Sequence, residues 1–262
     1  MKMKIDIKGV IIPNGDKWIY DWFEIDAVCP RDVLSGIEKA DGEPLDVYIN
    51  SEGGDVFAGS EIYSALREYG GVVTIHVVGF AASAASVIMC ARDCDITPTG
   101  LVMIHNVSGG ARGDYHVMDK ESDILQTAND ALSEAYCLKT GKSKSEILKL
   151  MDNEAWLTAK EAVEFGLVDR VTGLQLTAAG SCFSSKSMTS INGGVLPSQV
   201  YFSSKSIPRA TIEKMKNLIK PPESVTLFEE KHDSGVSTDD ISAKKRIAEA
   251  RLNLLKLGGK TG

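Results

Sequence analysis

The sequence lacks any apolar run approaching the roughly 18 residues that a membrane-spanning helix requires. Its opening, MKMKIDIKGVII, also lacks the apolar stretch of a secretory signal peptide. Positive charge is in deficit: 29 Lys+Arg stand against 36 Asp+Glu among 262 residues, a formal charge of -7. Nucleic-acid backbones are bound by neutralising phosphates with Lys and Arg, so this balance argues against nucleic acid as a main partner. Cysteine is sparse and odd in number: Cys29, Cys90, Cys94, Cys137 and Cys182 lie at irregular spacings. That pattern excludes a disulfide scaffold and points to a reducing compartment. Cys90 and Cys94 are one helical turn apart, with no second pair and no His at ligand spacing. They read as small buried hydrophobes, and neither a metal nor a cofactor is expected. The expectation is a cytoplasmic protein with no membrane partner. What is present, 43% hydrophobic and 25% charged residues, suffices for a sizeable core.

Residues 1–173 alternate between strand and helix patterns. Residues 4–12 carry Ile5, Ile7 and the Val10-Ile11-Ile12 cluster before a Pro13-Asn14-Gly15 turn. Pro30 suits a first helical position, and Val33, Leu34, Ile37 and Ala40 follow at helical spacing. Strands are expected over 45–49, 72–78, 95–97, 101–105 and 167–171, and helices over 56–69, 84–91, 145–151 and 158–165. The longest helix, 117–138, has an apolar stripe of Ile124, Leu125, Ala128, Ala131, Leu132, Ala135 and Tyr136. Short strands separated by helices imply parallel pairing through crossovers, hence an α/β fold. From about Gly173 the chain becomes Ser- and Gly-rich, as in a linker, over 174–207. Within it Phe-Ser-Ser-Lys-Ser occurs twice, at 183–187 and 202–206, too few copies for a solenoid. A C-terminal extension, 208–262, carries two helical patterns, over 208–220 and 241–257, the second basic.

Three segments at strand ends carry candidate chemistry. In Tyr48-Ile49-Asn50-Ser51-Glu52-Gly53-Gly54-Asp55, successive glycines at a helix start can turn backbone N–H groups toward a developing oxyanion. A plain tight turn would look the same. In Gly79-Phe80-Ala81-Ala82-Ser83-Ala84-Ala85-Ser86, Ser83 falls where a strand turns sharply into a helix, as a nucleophile would or as an N-cap would. Ser86, one turn later, reads as packing. In Met103-Ile104-His105-Asn106 an imidazole ends an apolar strand. A hydroxyl nucleophile needs a neighbouring base, and the open end of a parallel sheet is where such groups converge. His76 lies inside a strand, His116 near a helix start and His232 in the extension. The acid that would orient the base is open among Asp152, Glu154 and Asp169.

These segments, with Trp156-Leu-Thr-Ala-Lys-Glu-Ala-Val-Glu-Phe-Gly-Leu-Val-Asp, occur in an order that resembles the proteolytic subunit of the Clp protease. The resemblance covers about residues 2–173. Through Gly-Asp-Val-Phe-Ala-Gly and the doubled Ala-Ala-Ser it looks closest to the Clp-related head-maturation (prohead) proteases of tailed phages and prophages. It implies a ClpP/crotonase-like fold of repeated ββα units with a long handle helix, followed here by a Ser-rich, partly helical C-terminal extension. It implies a serine endopeptidase: Ser83 as nucleophile, His105 as general base, Glu154 as the acid, and backbone N–H groups of Gly54 and Ala84 as the oxyanion hole. Asp169 matches a structural position. Glu154 stands where the family has Asp, and Glu52 where it has Pro. The handle implies a ring-shaped homo-oligomer. The substrates implied are capsid or scaffold proteins, processed in the host cytoplasm within assembling proheads. No ATPase unfoldase partner is expected, because the family's axial N-terminal segment is not recognisable and the extension has no counterpart. Alternatives are a catalytically silent assembly scaffold, a housekeeping ATP-dependent peptidase subunit, and an enoyl-CoA hydratase or isomerase on the related crotonase fold.

Overall fold

A computed structural model describes residues 3–172 and 206–219. The chain divides into two compact units, Met1–Ser206 and Ile207–Gly262. The duplicated motif falls outside the described residues except for Ser206, and the basic 241–257 pattern, Cys182 and His232 fall wholly outside them. No helix among the described residues is long and apolar enough to cross a membrane.

The first unit is an α/β fold. In chain order it comprises β1 (Met3–Ile11), a 3-10 turn (Asn14–Asp16), α1 (Lys17–Trp22), β2 (Ala27–Val28), α2 (Pro30–Ala40), β3 (Leu45–Gly54) and α3 (Val56–Glu68). There follow β4 (Val73–Ala82), α4 (Ala84–Met89), β5 (Asp93–Ile96), β6 (Leu101–Ile104), α5 (Tyr115–Thr140), α6 (Lys144–Asp152), β7 (Ala155–Thr158), α7 (Ala159–Phe165) and β8 (Arg170–Val171). In the second unit, α8 (Arg209–Ile219) occupies the first of the two helical patterns expected in the extension.

Strand order is β2-β1-β3-β4-β5-β8, all parallel, and β6 pairs with β4 in parallel and with β7 antiparallel. Period-2 patterning places Ile5, Ile7, Val47, Ile49, Ile75 and Val77 in the core. The alternate residues form a polar face on which Lys4 lies over the Tyr48 ring and Tyr48 stacks on His76. Helix starts are set by side chains: the Asp55 carboxylate accepts from Phe57 N and Ala58 N, and Ser143 and Thr158 form capping boxes with Glu146 and Glu161.

Several expectations need correction. The Gly53-Gly54 pair is not a turn: it completes β3 and pairs with Val10 and Ile11 of β1. The segment Ala155–Thr158 is an antiparallel strand, and α1 and β2 occupy a stretch where no element was expected. The last strand is only Arg170–Val171, because Leu167 and Val168 are buried while their N–H groups turn back to Ala162 O. Cys90 and Cys94 are packed as expected, and burial pushes the Cys90 thiol up to about 12 and the Cys94 thiol well above its ordinary value.

A Cβ on Gly54 would sit 2.1 Å from Ile11 O, at φ +146, whereas Gly42 has φ +86 and open space. Gly54→Ala is therefore expected to cost more than the roughly 1–3 kcal/mol of backbone strain alone, lowering the melting temperature by several degrees more than Gly42→Ala. Equal melting temperatures for the two variants would contradict this packing.

Candidate active site

The site forms where the strands end. β4 changes partner along its length: Thr74 to Val77 pair with β5, and Phe80 to Ala82 pair with β6 in the register Phe80↔Leu101, Ala81↔Val102, Ala82↔Met103. The residue after β4 is Ser83, whose N–H donates to Met103 O at 3.0 Å. The second residue beyond Met103 is His105. Its Nε2 lies 2.8 Å from Ser83 Oγ, so with the proton on Nδ1 it accepts the hydroxyl's hydrogen.

Ser83 occupies the N-cap position of α4, yet its hydroxyl makes no capping bond. Its φ of +55 and ψ of -125 form a strained strand-to-helix elbow of the kind that raises a nucleophile above a sheet. Small residues permit the elbow. A Cβ on Gly53 would meet Ala82 O at 2.6 Å, Ser83 Cβ at 2.8 Å and Ala84 N at 2.9 Å, and one on Gly59 would meet Ala84 Cβ at 2.9 Å. β3 and α3 thus press directly against the elbow. Ser86 is buried below it, donating to Ser83 O at 2.7 Å and lying 2.8 Å from the Tyr136 hydroxyl, which ties α5 to the base of the elbow. Ser86 packs, as its position one turn inside the helix implied.

The cleft over Ser83 is lined by Gly54, Ala84, His105 and Asn106, with Val56, Val87, Leu132, Tyr136 and Met151 forming an apolar wall. Its volume, about 60 Å³, is well below the roughly 300–1,000 Å³ of a small-molecule pocket.

The acids separate by position. Asp169 is engaged structurally: its carboxylate accepts from Cys94 N at 2.7 Å and from Lys139 Nζ. Asp152 accepts from Asn106 Nδ2 at 2.9 Å. Glu154, exposed and at φ +47, is the charge that acts on His105. Two of the four described non-glycine residues with positive φ are Ser83 and Glu154, so backbone strain is concentrated around this site. Among the described residues no hydrogen bond joins Glu154 to His105, so Glu154 influences the imidazole through space. The other imidazoles are elsewhere. His76 Nδ1 donates to Asp95 Oδ1 at 2.8 Å, and exposed His116 stacks on Tyr115. Residue types and spacing alone did not single out Asn106, Asn129 or Tyr136, whose roles here depend on contacts between distant segments.

The family model for the Clp protease matches residues 31–175, more than half of the chain. The chain belongs to the Clp protease family. It is 35% identical over 130 residues (48% of this chain) to an ATP-dependent Clp protease proteolytic subunit from Chlorella vulgaris. It is 39% identical over 138 residues (50% of this chain) to an ATP-dependent Clp protease proteolytic subunit 1 from Protochlamydia amoebophila. This chain spans 65% and 66% of those subunits' own lengths, just under two thirds. A solved structure, a mutant ClpP1 from Listeria monocytogenes, superposes with a TM-score of 0.54 at 22% identity, covering 66% of this chain and 92% of that one. At that identity the likeness establishes the ClpP-like fold alone.

Burial holds the His105 pKa below its ordinary 6.5, and the Glu154 charge partly opposes the shift. Because the folded value is depressed, the unfolded chain binds the proton more readily, and His105 makes the fold less stable as pH falls from 6.5 toward the folded value. An NMR titration is expected to place the His105 midpoint below 6.5, and Glu154→Gln to move it lower still. An unchanged or raised midpoint in Glu154→Gln would show that Glu154 does not act on this imidazole.

Proposed function

We propose that this member of the Clp protease family is a serine endopeptidase. Ser83 Oγ attacks a peptide carbonyl carbon while its proton passes to His105 Nε2. The tetrahedral oxyanion is held by the N–H groups of Gly54 and Ala84, each such donor being worth roughly 10²–10³ in rate. As the C–N bond breaks, His105 returns the proton to the departing amine, and water then releases the acyl group by the same route in reverse. Glu154 stabilises the imidazolium by its charge. The observation that carries this reading is the 2.8 Å contact between Ser83 Oγ and His105 Nε2 at a strained elbow. It favours an active enzyme over a silent scaffold. The apolar wall favours apolar side chains before the scissile bond, with the substrate lying extended beside the end of β3.

The substrates in this reading are capsid or scaffold proteins processed during phage head maturation. The Gly-Asp-Val-Phe-Ala-Gly and Ala-Ala-Ser runs support it, as does a chain that extends 87 residues beyond the matched segment ending at residue 175. A housekeeping role with an ATP-fuelled partner is the second reading, favoured by the two relatives, each an ATP-dependent Clp protease proteolytic subunit. On either reading the working form is a homo-oligomer. The first turns of α5 leave the apolar side chains of Tyr115, Val117, Met118 and Ile124 exposed in the single chain.

Ser83→Ala is expected to lower endopeptidase turnover roughly 10⁴-fold or more and to abolish processing of a co-expressed capsid protein. Undiminished cleavage by the variant would sink the mechanism. Cleavage of capsid protein without ATP supports the head-maturation reading; cleavage only with an unfoldase and ATP supports the housekeeping one. Ile124→Asp is expected to reduce the assembly's mass in native mass spectrometry, and an unchanged mass would remove α5 from the interface.

A further inference from the structure

The residues following His105 belong to no regular element, yet two hydrogen bonds from different helices hold them. Asn106 Nδ2 donates to Asp152 Oδ1 at the end of α6, at 2.9 Å. Val107 N donates to Asn129 Oδ1 on α5, at 2.7 Å. The base, by contrast, makes no described hydrogen bond through Nδ1, and its acid acts only by charge. We propose that Asp152 and Asn129 are positioning residues that clamp Asn106 and Val107 and thereby fix His105 against Ser83, while Glu154 supplies charge without holding geometry. This rests on the serine-peptidase reading.

Two local costs argue that the clamp is more than incidental contact. A carboxylate only accepts hydrogen bonds, so Asp152 forces the Asn106 amide to present its nitrogen. The opposite end, Oδ1, is then buried without a partner among the described residues, which costs the desolvation of that oxygen. Asp152 is also the last residue of α6, where the helix dipole disfavours a negative charge. Both arrangements oppose local preference, and what they produce is a fixed position for the residue next to the base. Asn129 completes the restraint from α5, the helix that also contributes Leu132 and Tyr136 to the cleft wall. Neither Asp152 nor Asn129 lines the cleft, so both act through the backbone that carries His105.

The role is separable from simple packing, because conservative replacements keep the bonds. Asp152→Asn still offers an acceptor to Asn106, and Asn129→Asp still accepts from Val107 N. With an apolar-P1 peptide substrate, Asp152→Ala and Asn129→Ala are each expected to lower kcat about 10–100-fold, as small misplacements of catalytic groups do, with KM little changed. Asp152→Asn and Asn129→Asp are expected to stay within about threefold of the parent. The acid limb of the kcat/KM profile should stay in place in Asp152→Asn and move to lower pH in Glu154→Gln. Parent-like kcat in both alanine variants would overturn the clamp, as would Asp152→Asn being as impaired as Asp152→Ala or shifting the acid limb, since Asp152 would then act by charge. Should Asp152→Ala melt below the assay temperature, the Asn129 pair carries the same test. Failure of the parent protein to cleave the peptide would instead refute the serine-peptidase reading, which keeps the two failures distinct.

Discussion

The site depends on one register. β4 leaves β5 and takes β6 as its neighbour, with Ala82 opposite Met103, and from that pairing the next residue on one strand and the second on the other are Ser83 and His105. The Ser83 N–H to Met103 O bond extends the same ladder by one step. A slip of one residue would turn every side chain of β6 to the opposite face. The buried faces of β4 and β6, with Ala81, Ala82, Val102 and Ile104 all in the core, make such a slip costly. The Ser83–His105 geometry is in this sense a by-product of core packing.

Around that register the molecule accepts unfavourable local arrangements and offsets them elsewhere. Ser83 gives up a helix cap and adopts a positive φ. Gly53 and Gly59 leave room for the elbow, and Gly54 for the Ile11 backbone of β1, where any Cβ would collide. Ser86 and Tyr136 hold the elbow from beneath, and Lys139 and Asp169 fasten the far end of α5 beside β5. His105 is buried enough to favour its neutral form, the state a general base needs near neutral pH, while Glu154 keeps the depression from becoming larger. On the proposed reading, charge and position at His105 come from different residues, in keeping with an exposed Glu154, one methylene longer than Asp.

Much of this was legible in the residues and some was not. The alternation of strands and helices followed from periodicity, and Ser83 and His105 were visible as strand-end residues, though spacing alone did not separate them from a helix cap and a packed histidine as the resemblance did. The length of β3 was not legible, because a Gly-Gly pair reads as a turn unless its partner strand is known; only Val10 and Ile11 opposite it reveal a strand. β7 was missed because the stretch 155–157, ahead of the capping box at Thr158, is too short to show a period of its own. Spacing alone left Asp152, Glu154 and Asp169 open and only the resemblance implied Glu154, while the pairing of Asn106 with Asp152 across 46 positions needed three-dimensional placement. Long-range hydrogen bonds between polar residues leave no periodic trace in a single sequence.

The central claim is that His105 activates Ser83. The most direct measurement is the rate at which a fluorophosphonate modifies Ser83 as pH is varied, read by peptide mass. The claim predicts a rate that rises with pH, with a midpoint below 6.5 set by the depressed His105, and that is lost in His105→Ala. A rate independent of pH, or one equally fast in His105→Ala, would contradict it.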